Sequence, residues 1–444
     1  MDVFEAEAQA GGAARTLELT LPGFLHDFGS AVHPLGAGSP FFSSLPLGHY
    51  GLEWIHSPAP LAHPLDDGTA VILEGNLEDA EAALGRDGKA WRRLMKPFAE
   101  HWTALAAEVL RPVHVLSRHP LLLARFGVPA FAPATLLGKA LFRGVRAKAL
   151  FAGLAAHSFL NLDAPLSSGF GVVLGAAAHV VGWPIPRSGA QSITNALCGH
   201  LATLSATVQT GTRVESLASV AGYEVILCDV TPRQLLQIAG ERLSSGYARR
   251  LKRFRYGPGV FKVDYALAHP IPWKAAECLR SATVHVGGSA EEIAASEKAM
   301  SSGRIAEKPF VLLAQPSLFD RTRAPEGKHT AWAYCHVPNG SDVDMLVSIE
   351  AQIERFAPGF RDCVLARRVF SVAALQRMDE NLVGGDISGG ALDIRQFLFR
   401  PTWRHYATSA RDIYICSSST PPGAGVHGMC GYHAARLALA RLKK

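Results

Sequence analysis

Only sixteen residues follow Gly428 in this 444-residue chain, and that limits what its most distinctive motif can build. The apolar run Ile413-Tyr414-Ile415-Cys416 leads through Ser417-Ser418-Ser419-Thr420-Pro421-Pro422 into Gly423-Ala424-Gly425-Val426-His427-Gly428, a literal G-x-G-x-x-G. A dinucleotide fingerprint of that form opens a βαβ unit of about 30 residues, with an acidic residue about 20 positions further on. Sixteen residues hold a single helix, and Met429 to Leu442 has the composition for one. The tail therefore reads as a strand, a glycine-rich turn and a closing helix. Such a turn lets backbone approach a ligand closely and aims N–H groups at an anion or a polar ring edge.

The other end of the chain offers a complement. Val3-Phe4-Glu5 reads as a strand closing on an acidic residue, followed by Gly11-Gly12-Ala13-Ala14-Arg15-Thr16. In a dinucleotide fold an acid at that place binds ribose hydroxyls, and paired glycines with an Arg lie beside the pyrophosphate.

Between the two ends, the length allows two or three domains, and 48% hydrophobic with 18% charged residues excludes a disordered chain. Short β-branched or aromatic runs predict strands at Val214 to Leu217, Tyr223 to Val230, Val260 to Leu267, Ala282 to Val286, Phe310 to Ala314 and Thr330 to His336. Glu291 to Met300 and Asp344 to Phe356 read as helices. The 23 residues from Ala164 to Pro186 carry no charge, but Ser167, Ser168, His179 and several glycines make them a buried helix rather than a membrane span.

Charge is unevenly placed. Val109 to Leu162 holds Arg111, Arg118, Arg125, Lys139, Arg143, Arg146 and Lys148 and no acidic residue; without these seven, the net charge of +6 becomes −1. Basic heads interleaved with Leu and Phe suit contact with an anionic membrane surface. A solvated basic face on a helical subdomain is the other reading, because Pro112, Pro120, Pro129 and Pro133 break any long helix. An excess of six is mild for a nucleic-acid partner. Seven widely spaced cysteines without a C-x-x-C pair, and a start without the pattern of a secretory signal, lead to the expectation of a cytoplasmic protein. His329, Cys335 and His336 lack a second ligand pair, so strand packing is expected there rather than a metal.

Glu5 with Gly11-Gly12 and Arg15-Thr16, then Gly23-Phe24 and Asp27-Phe28-Gly29, resemble the start of flavin-dependent phytoene desaturase and amine oxidase type proteins from their second strand onward. The tail from Tyr414 to Met429 is similar to that family's closing flavin motif, and Gly182-Trp183-Pro184-Ile185-Pro186, Gly384-Gly385-Asp386 and Arg400-Pro401-Thr402 fall in the expected order. The family's first strand and its glycine loop are not among these residues, and Ala13 stands where many relatives place Arg. The resemblance implies an α/β protein with a discontinuous, N-terminally truncated, Rossmann-like FAD domain (1–70, 184–256 and 396–444). A substrate domain with a mixed sheet and helices (71–183 and 257–395) would complete it.

It also implies FAD as cofactor, held by Glu5, Gly11, Gly12, Arg15, Val214 (ending a strand against the adenine), Ser419, Thr420, Gly423, Gly425, Val426, His427, Gly428 and Met429. Lys262, within Gly259-Val260-Phe261-Lys262-Val263-Asp264-Tyr265, is similar to a lysine that holds a water near flavin N5 in amine oxidases; otherwise it is a solvated edge or ion-pair residue on a strand. The expected reaction passes a hydride from an apolar small molecule to the flavin. The alternatives are an amine substrate, or a binding or regulatory protein that kept the fold and lost the cofactor.

Overall fold

The computed structural model describes residues 1–113 and 115–443. Strand β1 (Asp2–Phe4) is followed by the hairpin β2 (Thr16–Glu18) and β3 (Leu25–Asp27), helix α1 (Pro34–Ala37), and strands β4 (Trp54–Ile55), β5 (Ala59–Pro64) and β6 (Ala70–Leu73). A helical layer comes next: α2 (Leu77–Ala83), α3 (Gly88–Ala99), α4 (Trp102–Val109), α5 (Pro120–Phe131), α6 (Ala134–Leu141), α7 (Val145–Ala156) and α8 (Ser167–Ala178). Then come β7 (Ile185–Pro186), α9 (Gln191–Thr203), β8 (Thr207–Gln209), β9 (Ile226–Cys228), α10 (Pro232–Ala239) and α11 (Ser245–Leu251). The rest of the large sheet follows with β10 (Gly259–Leu267), β11 (Ser281–Val286), α12 (Ala290–Ser301), β12 (Val311–Ala314), β13 (His329–Val337), α13 (Leu346–Phe356) and β14 (Val364–Phe370). Helices α14 (Val372–Met378) and α15 (Ile394–Phe399), strand β15 (Ile413–Ile415) and helix α16 (Met429–Leu442) close the chain.

Seven strands form one mixed sheet in the order β14-β10-β13-β12-β11-β5-β6. It is antiparallel except where β11 meets β5. Side chains alternate across a strand, so the sheet has two different faces. One packs Phe261, Val263 and Tyr265 with Ile349, Ile353 and Phe356 of α13. The other turns Val260, Leu312, Trp332, Tyr334 and Phe370 into a larger core shared with the helical layer.

The uncharged stretch does form a buried helix. Gly175 of α8 lies where an added Cβ would stand 2.6 Å from Met95 Cε, and its polar residues are satisfied within the protein. Ser168 Oγ donates to the carbonyl of Ala132 at 2.7 Å, and Trp91 Nε1 donates to His179 Nε2 at 2.9 Å. Two of the prolines divide the basic segment as expected, Pro120 starting α5 and Pro133 preceding α6, with the two helices meeting at 99°, whereas Pro129 lies within the last turn of α5 without ending it.

Two smaller parallel pairs lie apart from the large sheet, β1 with β8 and β9 with β15. They are not hydrogen-bonded to each other, yet Phe4 of the first packs against the same cluster as Ile413 and Ile415 of the second. Glu5 and the tail turn therefore belong to one body. The strand expected at Val214 to Leu217 is a correction. The strand there is Thr207–Gln209, chosen by its pairing with Asp2, Val3 and Phe4. Leu217 begins a 3-10 turn capped by Ser216, and Val214 lies outside any strand, half-buried beside Phe4.

Candidate functional site

The tail turn is held by short-range bonds and by contact with the N-terminal segment. Ser417 Oγ donates to the carbonyl of Val230 at 2.8 Å, and Thr420 Oγ1 to that of Ser417 at 2.7 Å. Gly428 takes φ +69°, and a Cβ there would stand 2.6 Å from Phe42 Cε1, so no larger residue fits. Ser39 Oγ donates to the carbonyl of His427 at 2.7 Å, fixing the turn beside α1. The Met429 N–H donates to His427 Nδ1 at 3.0 Å, which leaves the ring proton on Nε2. Burial holds His427 neutral, pushing its pKa down to about 4. Its Nε2 and the buried Ser419 Oγ make no hydrogen bond within the described residues, nor does His33 Nε2 on the residue before α1. Buried polar atoms of this kind call for a partner, and two donors with a ring nitrogen suit a polar heteroaromatic edge.

Gly423 abuts Arg400, whose Nη1 stands 3.0 Å from where a Cβ would be. Arg400 is buried, and its Nη2 donates to the carbonyls of Gly389 at 2.8 Å and Ser418 at 3.0 Å, tying the tail to the preceding loop. Gly425 and Val426 pass close to Leu35 and Gly36, and Met429 is buried at the start of α16.

Around Gly11 and Gly12 the chemistry is acidic. Arg15 is turned inward, donating to the carbonyls of Gly12 and Met378, both at 2.8 Å, and paired with Glu7. Asp379 Oδ2 lies 3.5 Å from where a Cβ of Gly12 would be. Asp229 keeps exposed surface but is closely surrounded. Desolvation first, then Asp379 and Glu5, raise its carboxyl to about 6. Desolvation raises Asp379 as well, against the pull of Arg15. Glu5, Asp229 and Asp379 thus gather acceptors that suit sugar hydroxyls and repel phosphate.

Lys262 is buried on the helix-facing side of β10, opposite Tyr334 and Phe370. Its Nζ donates to Asp264 Oδ2 and lies 5.8 Å from the ring of Trp332 and 5.5 Å from that of Phe370. Trp332 and Tyr334 stack at 5.4 Å. Desolvation raises Asp264 to about 6 in spite of Lys262. Its other oxygen lies 3.7 Å from His26 Nδ1, and His26 Nε2 is bonded to Thr20 Oγ1 at 2.8 Å. Lys262 is therefore both an ion-pair residue and a donor in an aromatic setting, with one of its three N–H bonds spent on Asp264.

The same face carries a histidine seam that sequence spacing did not reveal. Nε2 of His157, the residue that follows α7, meets His285 Nε2 of β11 at 2.9 Å, His63 of β5 stacks edge-on to His285, and His336 Nδ1 is bonded to Glu297 of α12 at 2.8 Å. Burial pushes His63 down to about 4 and His157 to about 3. Cys335 faces the opposite side of the sheet from His336, and the described residues contain no group of three or more His, Cys, Asp or Glu arranged to hold a metal. The available signal was a histidine at an apolar-facing position of each of three strands.

Known proteins resemble this chain, several of them over nearly its whole length. Pyridine nucleotide-disulfide oxidoreductase domain-containing protein 2 of Mus musculus is 25% identical, over 99% of this chain and 89% of its own length. A phytoene desaturase (neurosporene-forming) of Rhodobacter capsulatus is 29% identical over 29% of this chain and 26% of its own. Among solved structures, an oxidoreductase from Methanosarcina mazei superposes with a TM-score of 0.65 at 14% identity, covering 100% of this chain and 94% of that one. A putrescine oxidase superposes at 0.59 with 13% identity, covering 99% and 93%. The chain shares the fold of these two solved oxidoreductases. No protein-family profile matches the chain. Within this fold the large sheet and the helical layer enclose Lys262, while the two parallel pairs carry Glu5 and the tail turn.

Proposed function

We propose that this protein is an FAD-dependent oxidoreductase that takes a hydride from an apolar substrate. The observation that carries the reading is Lys262, a buried cation ringed by Trp332, Tyr334 and Phe370 beneath an apolar helical layer. Glu5, Asp229 and Asp379 offer acceptors for the hydroxyls of FAD, and Ser419 and His427 offer partners for its ring edge. When bound, FAD supplies the hydride acceptor, and an external oxidant restores it. The protein positions the substrate against aromatic surface and excludes water with the helical layer, and the proton that the substrate loses along with the hydride would pass to the Lys262–Asp264 pair, whose carboxylate can take it up. Asp264 is matched to Lys262, and Glu297 on the same face is bonded through one oxygen to His336; an apolar substrate is proposed over an amine because the surrounding rings and the helical layer are apolar.

The test is to titrate purified protein with FAD, following flavin fluorescence, and then to add polyene and amine candidates without oxygen while watching the flavin bands. Saturable binding followed by bleaching with a polyene supports the proposal. Binding without reduction by any candidate favours a regulatory protein that kept a flavin site, and absence of binding overturns the cofactor.

A further inference from the structure

We propose that the corner formed by α5 and α6 docks on an anionic lipid bilayer. This inference is independent of the flavin reading. The outward stripe of α5 is apolar where a surface helix is ordinarily polar. Leu121 is 85% exposed, Val128 80% and Phe131 52%, flanked by Leu116 at 90% and Leu136 of α6 at 61%. Single exposed apolar residues need no explanation, but five on one corner form a patch that marks a contact. The inward side is already used: Leu122, Phe126 and Leu137 join the main core, and Phe126 packs edge-on against Phe98. The exposed stripe is therefore surplus to folding.

Charge identifies the occupant. Arg118, Arg125, Lys139 and Arg143 are exposed around the patch, within a segment that has no acidic residue of its own. Of the acids nearby, Glu108 is buried, paired with Arg111, and accepts from the backbone of Arg118 and His119. Glu100 shares its surface with Arg93, Lys96 and Arg125, and Asp163 accepts from Thr135. An apolar centre with a cationic rim matches acyl chains beneath anionic headgroups. A second copy of the chain fits poorly, because a two-fold contact through this patch would set its cations against themselves. No single helix among the described residues is long and apolar enough to cross a membrane; α5 and α6 reach that length and composition only as a pair, and their 99° bend fits a corner seated in the headgroup region better than a continuous span.

Flotation of the full chain decides the matter. Phosphatidylcholine vesicles are compared with vesicles of phosphatidylcholine mixed with phosphatidylglycerol. The wild type is expected to float only with the mixed vesicles and to lose binding as salt rises. Arg118→Glu with Arg125→Glu, and Leu121→Ser with Val128→Ser, should each lower partitioning by about fivefold or more. Circular dichroism melts check that the variants fold, and Leu116→Ser, in an exposed loop, serves as a variant with no packing to lose. Equal flotation with neutral vesicles, no flotation, or variants that float like the wild type would overturn the proposal. So would a dimer in light scattering that the serine variant abolishes while vesicles are ignored, since the occupant would then be a second copy.

Discussion

At the scale of single residues, the structural part of Lys262 and the proposed catalytic one can be separated. Removing the ammonium leaves Asp264 buried and unmatched, which destabilises the protein whether or not the lysine takes part in chemistry. Lys262→Met alone should lower the melting temperature and, with FAD bound, slow flavin reduction by about a hundredfold, the lower end of what a positioned acid–base group contributes. The double variant Lys262→Met, Asp264→Leu should recover most of the melting temperature without recovering the rate. If the rate returns with stability, the lysine is structural only. His427 illustrates how a neighbour sets a protonation state: the Met429 N–H occupies Nδ1, so the ring presents Nε2 as a donor, which its sequence position within a glycine-rich turn did not reveal.

At the scale of elements, α7 seats against the large sheet through Gly153. A methyl there would stand 2.5 Å from His285 Nδ1, in a ring that has Trp183 and Phe310 around it and little room to move. Gly153→Ala should therefore cost about 1 to 3 kcal/mol from overpacking. Gly138→Ala on α6 meets only Phe151 at an ordinary 3.8 Å and should be neutral or stabilising by up to about 1 kcal/mol from helix propensity. Chemical denaturation of the two variants checks the contrast; equal effects would mean α7 is not seated as described. The large sheet was mostly legible because Val260 to Leu267 and Thr330 to His336 are long β-branched and aromatic runs with clear boundaries. Strands β5, β6 and β14 were missed: Pro60, His63 and Pro64 disguise the first, the second is a run of only four residues, and Arg367-Arg368 on a half-exposed edge disguises the third. The closing helix matched its expected bounds because Gly428 marks its start. Val214 misled because a three-residue strand is fixed by its partner β1, some 200 positions away, and not by its own composition. The histidine seam escaped for the same reason, since four separate elements contribute to it.

At the scale of the whole molecule, buried titratable groups set an acid limit. His33 and His63 are held near 4 and His157 near 3, so the unfolded chain binds more protons than the folded one between those values and about 6.5. Their contribution is full above that range and is lost as pH falls through it. Asp229 and Asp264, raised to about 6, act in the opposite sense between 3.8 and 6, but the depressed histidines outnumber them. The melting temperature should fall from pH 7 toward pH 5, with a shallower slope in His157→Gln; a rise on acidification would contradict this balance. The two parallel pairs raise a separate matter of cooperativity. Each has two strands of three residues, and they are joined through a small shared cluster instead of a common ladder. Such pieces are the first to open in a folded chain, so amide hydrogens of Ile226–Cys228 and Ile413–Ile415 should exchange well before those of Gly259–Leu267. A ligand that contacts both pairs then becomes part of what holds them together. Its occupancy adds to stability by mass action, by about 2.7 kcal/mol at a hundredfold excess over its dissociation constant. A melting curve followed against the concentration of such a ligand would then read as a binding isotherm, reporting on the two strand pairs and their shared cluster.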